Sequence, residues 1–561
     1  MKDRKQAIDQ IAEQKFDVCV IGGGASGSAC ALESQLRGLK TVMLEAGDFA
    51  SGSSTASTKI AHGGVRYLQE AVEDLDINQY HLVEAALRER ALMLRNAPHL
   101  TRMMEFLVPC FSHFDKFYYG LGMKMYDSIS GKSSLFPSRS LTRQEALYRM
   151  PAMQPNHLTG AISYADGQFD DGRYCLALVD TFEGSGGAAL NYARVTALEK
   201  TAEGKLFAAV VTDQVSNRTF KIVARTFVNA TGPFSDVVRR FASAEAGSRM
   251  RPSKGVHIMF PLDGFSENDA LLVPKTEDGR VIFALPWNGR LLVGTTDTGY
   301  KPGEEMIVTR EEIDYLLRQL NPYLSSPLRA DQVVSGFAGV RPLVAAEGVT
   351  ETKKLIRDDE VEYDAKSGLI SILGGKWTTH RLMGQETVDR VQESLGEPVA
   401  SSPTTDHPLN GSARYTQDYW QTLADTFKVP VATARHLAHK YGTLAPDVLH
   451  LADSDPSLAL PLVEGEAPIR AQVVYAVRKE MALTVEDVLA RRIGLQLIGW
   501  RLAIRATPVV ASLLRRELGW SAAEEAAAVD QYVGKVNHML EVAGQQPEPS
   551  QSQTGEFALW S

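Results

Sequence analysis

The spacing of apolar positions changes character three times along the chain. Residues 16–21 (FDVCVI), apolar but for Asp17, form a run of strand length, followed by GGGASG, a helix-compatible stretch ACALESQLRG and a second apolar run, TVMLEA. The order strand, glycine turn, helix, strand predicts a parallel unit buried on both faces. Two later runs, TFVNATG at 226–232 and LISILGG at 369–375, end in glycine turns of their own. From about 200 to 340 the pattern becomes short and alternating, as in VIFALPW and RLLVGTT, with turn signals EDGR and WNGR, and predicts an inserted antiparallel sheet. After the polar, proline-containing SSPTTDHPLNGSA, which reads as a linker, the spacing is helical and the composition rich in Ala, Leu, Glu and Arg.

Gly22-x-Gly24-x-x-Gly27 stands directly after the first strand and opens the helix, where free N–H groups and the helix dipole favour a pyrophosphate. Glu45 ends the second strand eighteen residues beyond Gly27. A carboxylate there accepts from a ribose 2′-hydroxyl and repels a 2′-phosphate. With strand before, helix after and acid beyond, a bound dinucleotide outweighs a plain tight turn, and Gly22, Gly24, Ala25, Ser26, Gly27 and Glu45 are its expected contacts.

The 561 residues, 44% hydrophobic and 23% charged, leave room for about three or four ordinary globular domains. A net charge of −9 offers no overall field for nucleic acid, so no such partner is expected and an anion site has to be local. The cysteines at 19, 30, 110 and 175 have neither metal-type spacing nor a need for disulfides, which suits a reducing cytoplasm, and no metal is expected. The opening MKDRKQAIDQIAEQKF mixes charges of both signs without an apolar stretch and does not read as a signal peptide. No apolar run approaches the roughly eighteen residues of a spanning helix, so membrane contact is expected to be peripheral at most.

Further motifs lie in order along the chain: SGSSTASTKIAHGGVRYL at 51–68, Asp170-Asp171-Gly172-Arg173, NATGPFSD, Lys254-Gly255-x-His257, Pro286-Trp287, Gly294-Thr295-Thr296-Asp297, GVRPL and GGKWTTHR. Together with the glycine turn they resemble the FAD-dependent glycerol-3-phosphate dehydrogenases and oxidases, within the D-amino-acid-oxidase-like flavoproteins, over nearly the whole chain. Two positions depart from the family pattern, His380 where Tyr is common and Gly172 where Ala is frequent.

The resemblance implies a Rossmann-like α/β FAD-binding domain of the two-dinucleotide-binding type, interrupted by a β-rich substrate domain and followed by an all-α domain. The expected boundaries are 1–90, 161–235 and 336–400 for the FAD-binding segments, 91–160 for a helical and aromatic segment, 236–335 for the substrate domain, 401–545 for the helical domain and 546–561 for a disordered tail. It also implies FAD as cofactor, with Ser57, Thr58, Val195, Ala230, Gly232, Gly375, Thr378 and Thr379 among its contacts. The implied reaction is oxidation of glycerol 3-phosphate to dihydroxyacetone phosphate, with quinone or dioxygen as acceptor. An amino-acid or hydroxy-acid oxidoreductase and a non-catalytic dinucleotide-binding protein are the rival readings, and homodimer formation stays open.

A small dianionic alcohol needs fixed cations and a route for its hydroxyl proton. By resemblance Arg66, Tyr67, Arg341, Arg357 and Lys376 line the substrate pocket. His62 and His257 are the candidate bases, each equally readable as a scaffold histidine, and an alkoxide held by cations needs no histidine. His99 and His113 have no motif context. The 374–379 turn is expected to open a helix toward the flavin. Finally, residues 106–136 interleave Phe and Tyr with Lys116, Lys124 and Lys132, a composition that suits either an interfacial membrane contact or core packing.

Overall fold

The strands form two sheets in the computed structural model, which describes residues 4–64, 77–133, 135–301, 303–345 and 360–549. The first sheet has eight strands. Its order is Glu360–Tyr363, Leu369–Leu373, Thr219–Asn229, Lys15–Ile21, Thr41–Leu44 and Ala188–Leu190, with Leu206–Asp213 and Ala193–Lys200 added beside Thr219–Asn229. The central pairings are parallel. Val18 through Ile21 are buried, which is why this strand reads as one apolar run rather than as an alternation. Helix Ala25–Leu36 packs between helices Asp171–Gly184 and His380–Leu395 over one face of the sheet.

The glycine turn is dictated by close backbone approach. Gly22 has φ +115°, and a Cβ on Gly27 would lie 1.9 Å from the Gly22 carbonyl oxygen. Only glycine satisfies both positions.

The second sheet has ten strands and draws on more of the chain than its alternating pattern suggests. Ser253–Pro261, Asp269–Val273, Ile282–Trp287, Arg290–Gly294, Thr298–Gly299 and Ser335–Arg341 are joined by Ile60–Ala61, Thr101–Cys110, Arg139–Thr142 and Gly160–Phe169. The last four come from stretches expected to belong to the FAD-binding and aromatic segments, while 206–213 and 219–229 go to the first sheet instead. Asp269–Val273 pairs with Thr101–Cys110 in parallel, so the sheet is mixed rather than purely antiparallel. An alternating pattern reports a solvated face; it cannot report which sheet a strand joins.

Beyond 413 the described residues are helical apart from short turns and one isolated bridge, from Tyr419–Phe427 to Ala522–Val542. These helices share one apolar core with the second sheet, in which Val256, Ile258 and Leu291 meet Leu437, Val474, Trp500 and Val510. The stretch expected to be a linker is instead a tied strap. Ser402 and Thr404 donate to buried Glu33, Arg381 donates to Ser402 (3.0 Å), and Asn96 donates to the Thr404 carbonyl (3.1 Å). In the tail, Arg501 holds Gln546 and Glu548, and 550–561 lie outside the described residues. No helix among the described residues is long and apolar enough to cross a membrane.

Candidate functional site

A cavity of about 1550 Å³ runs between the two sheets. Its size exceeds that of a pocket for a single small ligand and suits a dinucleotide together with a small substrate. Gly22, Gly24, Ala25, Ser26, Glu45, Ser57, Thr58, Val195, Ala230 and Gly232 line it, as do His62, His257, Arg341, Gly375, Lys376 and Thr378. Gly27 and Thr379 do not. Gly27 lies beneath the turn, and the Thr379 hydroxyl donates to the Lys376 carbonyl (3.3 Å). Arg66, Tyr67 and Arg357 fall outside the described residues.

The nucleotide end is built from backbone. Gly23 and Gly47 donate their N–H groups to the two oxygens of Glu45 at 2.7 and 2.8 Å, and Ala25 donates to Ser54 Oγ at 2.9 Å. Burial pushes the Glu45 carboxyl up, and the N–H groups of Gly47 and Gly23 oppose that shift. The turn, the helix start and the aligned carboxylate form a cradle that fits adenosine ribose and pyrophosphate.

The other end is built from side chains delivered by separate strands. Arg341, at the end of its strand, lies flat across Gly255, where a Cβ would come within 2.5 Å of the guanidinium. Its NH2 donates to Thr295 Oγ1 (2.9 Å) and the Thr296 carbonyl (2.8 Å), and NH1 lies 3.2 Å from Asp297 Oδ1. The Gly-Thr-Thr-Asp motif is therefore the mount of this arginine, a role its sequence did not disclose. Between neighbouring strands, His257 stacks on Phe337 with centroids 4.9 Å apart, and its Nε2 lies 3.0 Å from Thr58 Oγ1. Its buried Nδ1 has no partner, and burial first, then Arg341 and Lys59, hold its pKa well below the ordinary range. His62 sits half-buried on the cavity wall with its N–H donating to Thr378 Oγ1 (3.2 Å). Burial, then Lys376 and Arg90, lower its pKa to about 4, so the imidazole is neutral at pH 7.

Residues 17–390 match the profile of the family described as FAD dependent oxidoreductase, and 402–525 match that of the C-terminal domain of alpha-glycerophosphate oxidase. The chain belongs to the FAD-dependent oxidoreductases. It is 39% identical over 536 residues to "Probable glycerol-3-phosphate dehydrogenase, mitochondrial" of Caenorhabditis elegans, covering 94% of this chain and 74% of that protein. To the mitochondrial glycerol-3-phosphate dehydrogenase of Homo sapiens it is 38% identical over 517 residues, 90% and 71% of the two chains. Among solved structures it resembles the glycerol-3-phosphate dehydrogenase from Bacillus halodurans complexed with FAD, at 29% identity and a TM-score of 0.77, with 96% and 97% of the chains covered. FAD is the cofactor of this family.

Within this flavoprotein site the structure adds a network that no motif announced. Tyr126 donates to Asp166 Oδ1 (2.9 Å) and accepts the N–H of Gly63 (2.8 Å), next to His62. Arg90, fully buried, donates to the same carboxylate at 2.6 Å. Burial still raises the Asp166 carboxyl to about 6, against the pull of Arg90. Arg90, Tyr126 and Asp166 lie far apart in sequence and outside the quoted motifs, so only the fold joins them to the His62–Gly63 turn.

The aromatic stretch splits in two. Phe106 is fully buried and stacks on Tyr164, a core residue. Helix His113–Ser130, opened by a Ser112–Asp115 capping box, instead leaves Phe114 72% and Phe117 69% exposed, with Tyr118 and Leu121 beside them. Tyr118 and Leu121 also border the cavity. Lys116 and Lys124 donate to the carbonyls of Leu141 (2.8 Å) and Ser138 (2.7 Å), so both ammonium groups help to close the following loop. His99 is buried beside Ser412, and His113 is exposed at the helix start.

Proposed function

We propose that the chain oxidises sn-glycerol 3-phosphate to dihydroxyacetone phosphate, with FAD accepting the C2 hydride and a membrane quinone receiving the electrons. The observation that carries this reading is the fixed fork of Arg341 on the same cavity as Lys376 and His62, adjoining the dinucleotide cradle. Gly22, Gly24, Ala25, Ser26 and Glu45 would hold pyrophosphate and ribose, with Val195, Ala230 and Gly232 along the nucleotide and Ser57, Thr58, Gly375 and Thr378 toward the flavin.

Arg341 and Lys376 supply positive charge for the substrate's anionic end, and Arg66, Tyr67 and Arg357, outside the described residues, join them in the pocket by resemblance to the family. His62 is the favoured base. It is neutral at pH 7, lines the cavity, and its backbone N–H donates to Thr378. His257 is better suited to holding Thr58, because its Nε2 is already engaged and its Nδ1 is enclosed.

The exposed aromatic face of His113–Ser130 supports a peripheral seat on a membrane, since Tyr118 and Leu121 belong both to that face and to the cavity wall. Dioxygen as acceptor is the second reading, favoured by the match of 402–525 to an oxidase domain. Anaerobic addition of glycerol 3-phosphate should bleach the oxidised flavin spectrum, and glycerol, which lacks the phosphate, should not. Bleaching by an amino acid in place of glycerol 3-phosphate would overturn the reading. Slow reoxidation in air that accelerates with quinone in vesicles separates the two acceptors.

A further inference from the structure

We infer that the C-terminal helical unit is a working half of the FAD clamp: it grips, from behind, the two loops that present the nucleotide carboxylate and the flavin-side hydroxyls to the cavity. The inference rests on FAD as cofactor and is independent of which substrate or acceptor is used.

The first grip is on the loop 45–51. Glu45 opens this loop, Phe49 packs against Gly23, and Ala50 donates to the Gly23 carbonyl at 3.1 Å, so any shift of the loop moves the cradle. Between them the buried Asp48 carboxylate turns away from the cavity and meets two consecutive arginines of the C-terminal unit. Arg491 Nε lies at 2.5 Å, and Arg492 contacts both carboxylate oxygens, one at 2.8 Å. Consecutive side chains reach one carboxylate because Asp487–Arg492 is a π-helical turn, a device that recurs at functional positions. Arg491 is braced by Asp487, which also accepts from Tyr192 (2.7 Å), and Tyr192 donates its own N–H to the Gly47 carbonyl at 2.7 Å. The loop is thus gripped at Gly47 and Asp48.

The second grip is on the loop 53–59. Asp171 accepts from the N–H and hydroxyl of Ser57 (3.0 and 2.7 Å) and from Lys59 (2.5 Å), and so shapes the segment that carries Thr58. Its neighbour Asp170 faces the other way and takes Lys440 of the C-terminal unit at 2.6 Å. Three residues on, Arg173 pairs with Glu480 of the same unit at 2.7 Å. The Asp-Asp-Gly-Arg motif is therefore a bracket with one face on the flavin-side loop and the other on the C-terminal helices.

None of Asp48, Asp170, Lys440, Arg491 and Arg492 lines the cavity. They are positioning residues, and their effect on FAD passes only through the loops. Linkage requires the coupling to run both ways: if the helices order the loops for FAD, bound FAD must order the helices.

The test uses the full chain with and without saturating FAD, read by hydrogen exchange and by FAD dissociation, neither of which needs turnover. In the wild type, FAD should slow exchange at 22–27 and also at 480–499. In Asp48→Asn, FAD should release at least tenfold more readily and protect 22–27 without protecting 480–499. Arg492→Met should match it, the double variant should be no worse than either single one, and Arg492→Lys should recover part of the loss. Tyr192→Phe, a milder change, keeps the test open should Asp48→Asn fail to fold, and should lose FAD a few-fold faster. Absence of FAD-dependent protection at 480–499 in the wild type, or wild-type FAD retention in the folded variants, would overturn the inference. Failure of glycerol 3-phosphate to bleach the flavin would overturn the proposed reaction and leave this coupling standing.

Discussion

The two ends of the cavity are made in different ways. At the glycine-turn end the hydrogen bonds that shape the wall lie within thirty-three residues, from Gly22 to Ser54, and their donors are backbone N–H groups. At the other end the polar groups on the wall come from strands and loops spread from His62 to Lys376 and are held by other side chains: Arg341 by Asp297 and the Thr-Thr pair, His257 by Thr58, the His62 loop by Tyr126. The first kind of site should reject an added atom where backbone meets backbone, at Gly22 and Gly27. The second should tolerate changes that keep charge and orientation and lose activity by degrees.

The sharpest way to break this contrast is Gly27→Val. With a Cβ contact of 1.9 Å to backbone, the substitution should abolish FAD retention altogether, measured as flavin released per chain after purification; full occupancy in a folded variant would show that the turn can yield.

Acid probes the assembled interior instead. Burial is the leading cause of the low pKa of four histidines, about 4 for His62 and His380 and about 3 for His99 and His436. Their folded pKa values lie below the unfolded one of about 6.5, so it is the unfolded chain that takes up protons first. Their contribution to stability is complete above about pH 6.5 and is lost as the pH falls toward 4. Thermal melts should drop steadily across that window, and a flat midpoint from pH 7.5 to 5 would contradict the burial of these rings.

Arg341→Ala should lower kcat/KM for glycerol 3-phosphate by about ten- to a hundredfold, from the roughly 1.5–3 kcal/mol of a charge-assisted contact, while FAD content stays at wild-type level. Asp297→Asn should cost less, since it loosens the mount without removing the fork. Equal losses of FAD and activity would erase the distinction between the two ends.

Tyr126→Phe removes one hydroxyl that serves both Asp166 and Gly63. A loss of about 1 kcal/mol should slow anaerobic flavin bleaching by roughly fivefold with KM little changed. Stopped-flow reduction at saturating substrate would detect it. Last, Phe114→Ser with Phe117→Ser should release the protein from anionic vesicles and leave bleaching untouched. Lys124→Glu should have the smaller effect on vesicle binding, because its ammonium is already spent on the Ser138 carbonyl.

What the sequence determined by itself is the part governed by short-range geometry. The glycine turn, its flanking strands, Glu45 and the helical C-terminal region all follow from constraints between near neighbours, as does the helix that starts after the Gly374–Gly375 turn. Tertiary structure decided the rest, because a buried charge is settled by whichever partner the fold brings to it. Asp48 reads as one more loop carboxylate until Arg492 arrives from 444 positions away. Likewise, an aromatic run cannot announce that Phe106 is core and Phe117 surface, since strand and helix turn the same kind of side chain toward different neighbours. The surroundings of His257 were equally out of reach, for Thr58 and Phe337 meet its ring from elsewhere in the chain.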